Sequence, residues 1–233
     1  MKNAGLQAGL FAALLALGTG GAFAQTEADF TTYTDRHGYI SITGYTGTAV
    51  DVVVPAAIGG VPVDKIGRGA FAGKTAIRSV TVKAARDIDE GAFSGCTGLR
   101  SITLPEGIDD IDDRAFAGCT SLASITIPNS VRKIGDDAFR GCTALAAVTL
   151  PQRLEKIEEG AFADCAALKT IALPAGLRDI DRNAFYGCIS LTTVTFPAGL
   201  RKVERGAFMG CVSLDAVTRD AITQRFGSRA IFG

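Results

Sequence analysis

The chain has 233 residues, 47% of them hydrophobic and 21% charged, a composition that excludes a disordered or fibrous protein. Its 24 basic residues balance 24 acidic ones. That neutrality argues against bulk electrostatic attraction to nucleic acid or to an anionic membrane surface.

The first 24 residues stand apart. Lys2 gives a positive start, Leu10 to Leu17 is a short apolar run, and Ala22-Phe23-Ala24 is a small-x-small cleavage signal before Gln25. The run is too short to span a bilayer, so residues 1–24 are expected to be a removed secretory leader. No cysteine follows the cleavage point and no second apolar stretch of spanning length occurs. An exported product without an integral membrane segment is therefore expected, secreted, on the cell surface or in the periplasm.

Residues 25–64 read as an N-terminal cap and an irregular first coil. Tyr39-Ile40-Ser41-Ile42-Thr43 alternates apolar and polar like a strand and could pair across the end of a stack. Val52-Val53-Val54 is a second strand, ended by Pro55. Five extra residues within Ile58 to Val63 then delay the next motif.

From residue 65 to 219 one motif returns. Ala-Phe stands at 70–71, 92–93, 115–116, 138–139, 161–162, 184–185 and 207–208, and Cys96, Cys119, Cys142, Cys165, Cys188 and Cys211 follow in steps of 23 residues. So strict a period means one unit stacked on copies of itself. In a representative copy, Ile102-Thr103-Leu104 alternates as a strand, Pro105 ends it, and Ile108 and Ile111 pack the return path. Ala115-Phe116 is expected on a short helical turn, with Gly118 making a left-handed exit before Cys119. Asp164 replaces that glycine in one copy, and Asp tolerates the same conformation. The fold expected is an α/β solenoid, with a parallel β-sheet on one face and short helical or irregular turns on the other. Arg219 interrupts the apolar pattern, and residues 220–233 are expected to form a short amphipathic C-terminal cap.

Six cysteines in an exported chain normally suggest disulfides. Here all six occupy one place in successive coils, so they are expected to form an internal ladder of small buried thiols. Coil spacing lies within disulfide reach, but parallel side-chain vectors make the bond torsion awkward. Zinc is disfavoured because the only histidine, His37, lies outside the repeats.

The unit Leu99-x-x-Ile102-x-Leu104-Pro105, followed by Ile111-x-x-x-Ala115-Phe116-x-Gly118-Cys119, resembles the BspA-like, or treponemal, class of leucine-rich repeat. The resemblance covers about residues 39–227 and includes Ile42 to Gly47 and Gly59 to Val63. It implies an exported, often surface-displayed protein. Several members of the class are adhesins for host matrix proteins or other microbes, but no binding residue common to the class carries over.

Strand residues pointing out of the sheet form two columns. One is Ser79, Ser101, Ser124, Ala147, Thr170, Thr193 and Ala216; the other is Thr81, Thr103, Thr126, Thr149, Ala172, Thr195 and Thr218. Their hydroxyl members from Ser79 to Thr195 are the candidate ligand face, although threonine is also simply a soluble strand former. Without Trp, Tyr or Arg, such a face would bind through many weak polar contacts. Arg78, Arg100 and Lys169 lie one position earlier and form a candidate basic rim, with Lys83 and Arg86 nearby. Tyr186 and Met209 break a run of small residues after Phe and mark a possible adhesive spot.

Asp109-Asp110-Ile111-Asp112-Asp113, with Glu155, Glu158 and Glu159 two coils on, offers oxygen ligands of the kind calcium takes, yet matches no EF-hand loop. Arg132, Lys133, Arg153 and Lys156 occupy comparable positions, so a salt-bridged flank is expected instead. No catalytic residue, cofactor or metal site is expected: His37 is remote from the repeats, and each cysteine is a copy of a structural position. The function expected is a binding module of the adhesin type for an extracellular protein or glycan, not an enzyme. The alternative is a structural or assembly component of the cell envelope.

Overall fold

Each coil begins with a strand because its apolar residues alternate with polar ones, and only one face can be buried. The computed structural model describes residues 25–232, and the expected leader over 1–24 lies outside them. The N-terminal cap is a hairpin of β1 (Phe30–Thr34) and β2 (Ile40–Tyr45). Next come β3 (Asp51–Val54), β4 (Ala57–Ile58) and β5 (Val61–Ile66). The coils supply strands in pairs: β6 (Ser79–Val82) and β7 (Asp87–Ile88), β8 (Ser101–Thr103) and β9 (Asp110–Ile111), β10 (Ser124–Thr126) and β11 (Lys133–Ile134). They continue as β12 (Ala147–Thr149) and β13 (Lys156–Ile157), β14 (Thr170–Ala172) and β15 (Asp179–Ile180), β16 (Thr193–Thr195) and β17 (Lys202–Val203). Helices α1 (Ala216–Phe226) and α2 (Arg229–Phe232) close the far end.

The expected parallel sheet is present, hydrogen-bonded in three segments: β3-β6-β8, β10-β12 and β14-β16. A second parallel ladder runs along the return path, through β2-β5-β7-β9-β11 and then β13-β15-β17. Sequence reading saw only a packed apolar pair there. Its strands are mostly two residues long, too short to show an alternation. The five inserted residues form the β4–β5 hairpin, whose turn glycines Gly59 and Gly60 have φ of 58° and 81°. Positive φ at both central residues is the requirement of the type I′ turn, one of the two that commonly close a two-residue hairpin.

The turn regions refine the expectation of a short helical turn at Ala-Phe. Each is a succession of single turns: Ala115 N bonds Asp112 O, Ala117 N bonds Arg114 O and Cys119 N bonds Phe116 O. The cause is a second left-handed residue just before Ala. Gly91, Arg114, Asp137, Gly160, Asn183 and Gly206 all have φ between 54° and 70°, which stops a helix from propagating. The left-handed exit expected before each cysteine is present, including at Asp164, where φ is 60°. Arg114 pays for its conformation with Cβ strain. Its ion pair with Glu90, at 3.7 Å, is too exposed to offset much. Arg114→Asn is therefore expected to stabilise the fold by about 0.5–1 kcal/mol, read as a rise in thermal midpoint; an unchanged or lower midpoint contradicts it.

Inside, Phe71, Phe93, Phe116, Phe139, Phe162, Phe185 and Phe208 are fully buried. Their rings stack face to face, with centroids 4.9–5.6 Å apart. The column continues into the N-terminal cap through Tyr45, 5.6 Å from Phe71, and Phe30, 5.4 Å from Tyr45. At the other end Phe196 meets Phe208 edge-on at 5.8 Å and also touches Phe226 of α1. The C-terminal cap starts earlier than the expected residue 220. Asp215 caps α1 by accepting from Thr218 N at 2.6 Å, so Ala216 and Thr218 leave the strand columns and Thr218 is buried.

Candidate functional site

In the three-residue strands of the first sheet the middle residue points inward and its two neighbours point out. Ser101 and Thr103, Ser124 and Thr126, and Thr193 and Thr195 flank buried Ile102, Ile125 and Val194. Parallel pairing without a register shift sets Ser124 beside Ala147, Thr126 beside Thr149, and Thr170 beside Thr193. The hydroxyl columns are thus continuous over Ser101–Thr195, apart from Ala147 and Ala172. Their start is less open: Ser79 and Thr81 are half-buried, and Ser79 Oγ donates to Asp51 Oδ1 at 2.6 Å. Thr193 shares a contact with Thr192, and the remaining face hydroxyls have no side-chain partner among the described residues.

The rim divides. Arg100 N bonds Arg78 O at 2.8 Å, so these two arginines sit on neighbouring rungs. Lys169 lies farther along the same margin, beyond Ala123 and Ala146. All three are exposed, and none forms an ion pair among the described residues. The open edge of β3, at the N-terminal end of the sheet, is held by Gln25. Its amide donates to Val53 O and accepts from Val53 N, as a neighbouring strand would.

The second sheet differs electrostatically, because the lysines within its strands are paired. Lys65 contacts Asp87 at 2.5 Å, Lys133 contacts Asp112 at 3.6 Å, and Lys156 bridges Glu158 at 2.5 Å and Asp181 at 2.8 Å. The two carboxylates hold Lys156 well above its ordinary pKa. In β7 and β9, Asp87 pairs in register with Asp110. Burial first, then Asp87 and Asp112, raise the Asp110 carboxyl. The acidic run that sequence reading weighed for calcium therefore lies on a salt-bridged flank. At that sheet's margin a column alternates in sign, Asp64, Arg86, Asp109, Arg132, Glu155 and Arg178, a pattern visible at the 23-residue period but missed. Arg86, grouped with the basic rim by sequence, belongs to this column.

The six cysteines are buried and unbridged. Each thiol donates to the phenylalanine carbonyl of the preceding coil, from Cys96 to Phe71 O at 3.0 Å through to Cys211 and Phe185 O at 3.1 Å. Burial pushes Cys96 and Cys165 up to about 12. A thiol that ionises near 9 when unfolded but near 12 when folded keeps its full stabilisation below pH 9. As pH rises from 9 towards 12 the unfolded chain loses the proton first, so stability falls. Denaturant midpoints are expected to decline across that window, and a thiol reagent to count no reactive thiol in the native protein and six after denaturation. Fewer than six under non-reducing conditions would contradict the ladder.

The described residues hold no helix long and apolar enough to cross a membrane, and no group of three or more acidic, histidine or cysteine side chains arranged for a metal ion. The solenoid presents a long repetitive surface.

Comparison with known proteins agrees with this architecture. A search of curated proteins returns no significant match. A solved leucine-rich repeat protein of T. pallidum is 33% identical, covers 88% of this chain and 98% of its own, and superposes with a TM-score of 0.84. One from Bacteroides ovatus is 29% identical over 78% of this chain and 55% of its own, with a TM-score of 0.60. The pneumococcal vaccine antigen PcpA, 22% identical with a TM-score of 0.58, shares the fold. The model of the BspA type leucine rich repeat region matches in six copies over residues 64–188 and 110–232, and the chain belongs to that family.

Proposed function

We propose that this protein is an exported, non-enzymatic binding module that recognises an acidic extracellular protein or glycan, in the manner of an adhesin, through the hydroxyl columns and the Arg78–Arg100 pair. One observation carries the reading. The lysines within the strands of the second sheet contact neighbouring carboxylates, whereas Arg78, Arg100 and Lys169 stand without an ion-pair partner immediately beside the hydroxyl face. Unpaired exposed charge does little for stability but steers an oppositely charged partner. Outward hydroxyls two residues apart on the rungs of β8, β10 and β16, and single ones on β12 and β14, supply polar contacts at a rung spacing of about 4.8 Å.

The test is binding to an array of extracellular matrix proteins and sulfated glycans at low salt. Arg78→Ala/Arg100→Ala is expected to weaken capture about tenfold and to flatten its salt dependence, with Lys169→Ala contributing less because it stands alone. Undiminished binding by the double variant would sink the rim. Protease treatment of intact cells tests exposure. Digestion of the protein supports surface display, whereas protection until the outer envelope is breached rejects host adhesion and points to a partner within the envelope.

A further inference from the structure

Among the described residues, the large hydrophobic side chains left exposed are confined to the two ends of the stack. Tyr33, Tyr39 and Val53 belong to the N-terminal cap and first strand, at 63%, 46% and 38% exposure. Tyr186, Ile189, Val212 and Val217 belong to the last coils and α1, at 36%, 50%, 73% and 80%. Between Val53 and Tyr186 there is none. Scattered exposed apolar residues need no explanation, but this segregation into two terminal patches does.

The same ends carry opposite charge. Residues 25–64 hold five carboxylates against the single Arg36, a net of −4. Residues 198–233 hold six arginines and lysines against Glu204, Asp215 and Asp220, a net of +3. Shape adds a third observation. An open groove of about 380 Å³ lies at the C-terminal end, with half-buried Met209, exposed Gly210 and Val212 and the cation Arg219 at its surface and Ile231 beneath. At the N-terminal end Asp35 sits in the β1–β2 turn between Tyr33 and Tyr39, its carboxylate accepting from the backbone N–H groups of His37 and Tyr39. The backbone bond from Tyr39 is the main influence holding that carboxyl below its ordinary pKa, so it is an anion at neutral pH.

We infer that the C-terminal groove receives the tyrosine-bearing β1–β2 turn of a second copy of this chain, joining molecules head to tail. A phenol ring suits an apolar groove with a guanidinium at its lip, through burial and a cation–π contact. The net-acidic N-terminal cap, with Asp35 in the docking turn, faces the net-basic C-terminal coil. The two surfaces differ, so the contact is heterologous: it does not close on itself at two copies but continues into a row or a ring. The arrangement extends the solenoid along its own axis and leaves the hydroxyl face of every copy free.

Sedimentation equilibrium of the purified protein tests this. Weight-average mass is expected to rise with concentration and to reach at least about twice the monomer mass near 0.2 mM at low salt, as for a weak interface. Tyr33→Ser/Tyr39→Ser blocks the N-terminal end and Val212→Glu blocks the C-terminal end. Each variant alone is expected to remain monomeric, and their equimolar mixture to stop at dimers, since only one pair of intact ends remains. Arg219→Glu provides an independent block of the groove if Val212→Glu disturbs the fold by circular dichroism. Wild-type protein that stays monomeric throughout overturns the inference. So does association that persists in either single-ended variant, which would indicate a symmetric contact between like ends.

Discussion

Phe139→Ala is expected to lower the unfolding free energy by about 3–5 kcal/mol, among the largest losses available to a single substitution in this chain. The ring lies between Phe116 and Phe162 at 5.2 and 5.4 Å, so its removal ends two stacked contacts as well as the burial of its own surface. The gap cannot readily close, because the backbone around it is fixed to the next coil. Phe139 N donates to Ala161 O at 2.8 Å, and its carbonyl accepts from Cys142 N and from the Cys165 thiol. A stack of this kind is held together by coupling between neighbours, so a weak central interface divides it into two shorter stacks. Denaturant titration should show a lower midpoint, with a shallower slope if the halves unfold separately. Phe226→Ala, at a partly buried position in the cap, is the control and should cost clearly less. A loss below about 1 kcal/mol for Phe139→Ala would mean that the aromatic column is not the spine of the fold.

The features legible in the sequence were those that repeat. The Phe column, the cysteine ladder and the left-handed residue before each cysteine recur at a fixed interval because every coil meets the same neighbours. The second ladder was not legible, since a two-residue strand such as Lys133–Ile134 carries no period. The other left-handed position was hidden for a different reason: Gly, Arg, Asp and Asn all occupy it, so no single residue type marks it. At the C-terminal end, Asp215 was the missed signal. It is an N-cap residue directly before Ala216, and it commits Thr218 to a helix although the 23-residue count places that threonine in a strand.

The candidate face was legible as columns but not as an environment. Alternation predicts that Ser101 and Thr103 point outward, and they do; it cannot tell that Asp51 occupies Ser79. Position along the margin likewise names Arg78, Arg100 and Lys169 without showing that two alanines separate the third from the pair. Whether a surface cation is paired depends on which carboxylate the adjacent coil sets beside it, as Asp181 does for Lys156. That information lies between repeats rather than within one.

Ile222→Asp is expected to detach the C-terminal cap at a cost of about 3–4 kcal/mol. Ile222 is fully buried on α1, which packs against β16. A carboxylate there would be desolvated without a partner, so the helix releases instead of burying it. Release strips the cover from Phe196 and Phe208, whose edge-on contacts turn the aromatic column into the cap. It also removes Arg225, which donates to the carbonyls of Pro197 and Leu200 and sits over the Phe226 ring at 4.8 Å. Because coupling runs only between neighbours, damage should grade along the stack. Amide exchange is expected to lose protection over residues 193–214 first, while the coils around Phe93 and Phe116 keep theirs. Val217→Asp, on the exposed side of the same helix, should change stability by less than about 0.5 kcal/mol. Equal effects from the two substitutions would show that α1 merely trails the stack. A large difference confined to the last coils would establish that an open repeat array needs a distinct residue pattern at its end to stop.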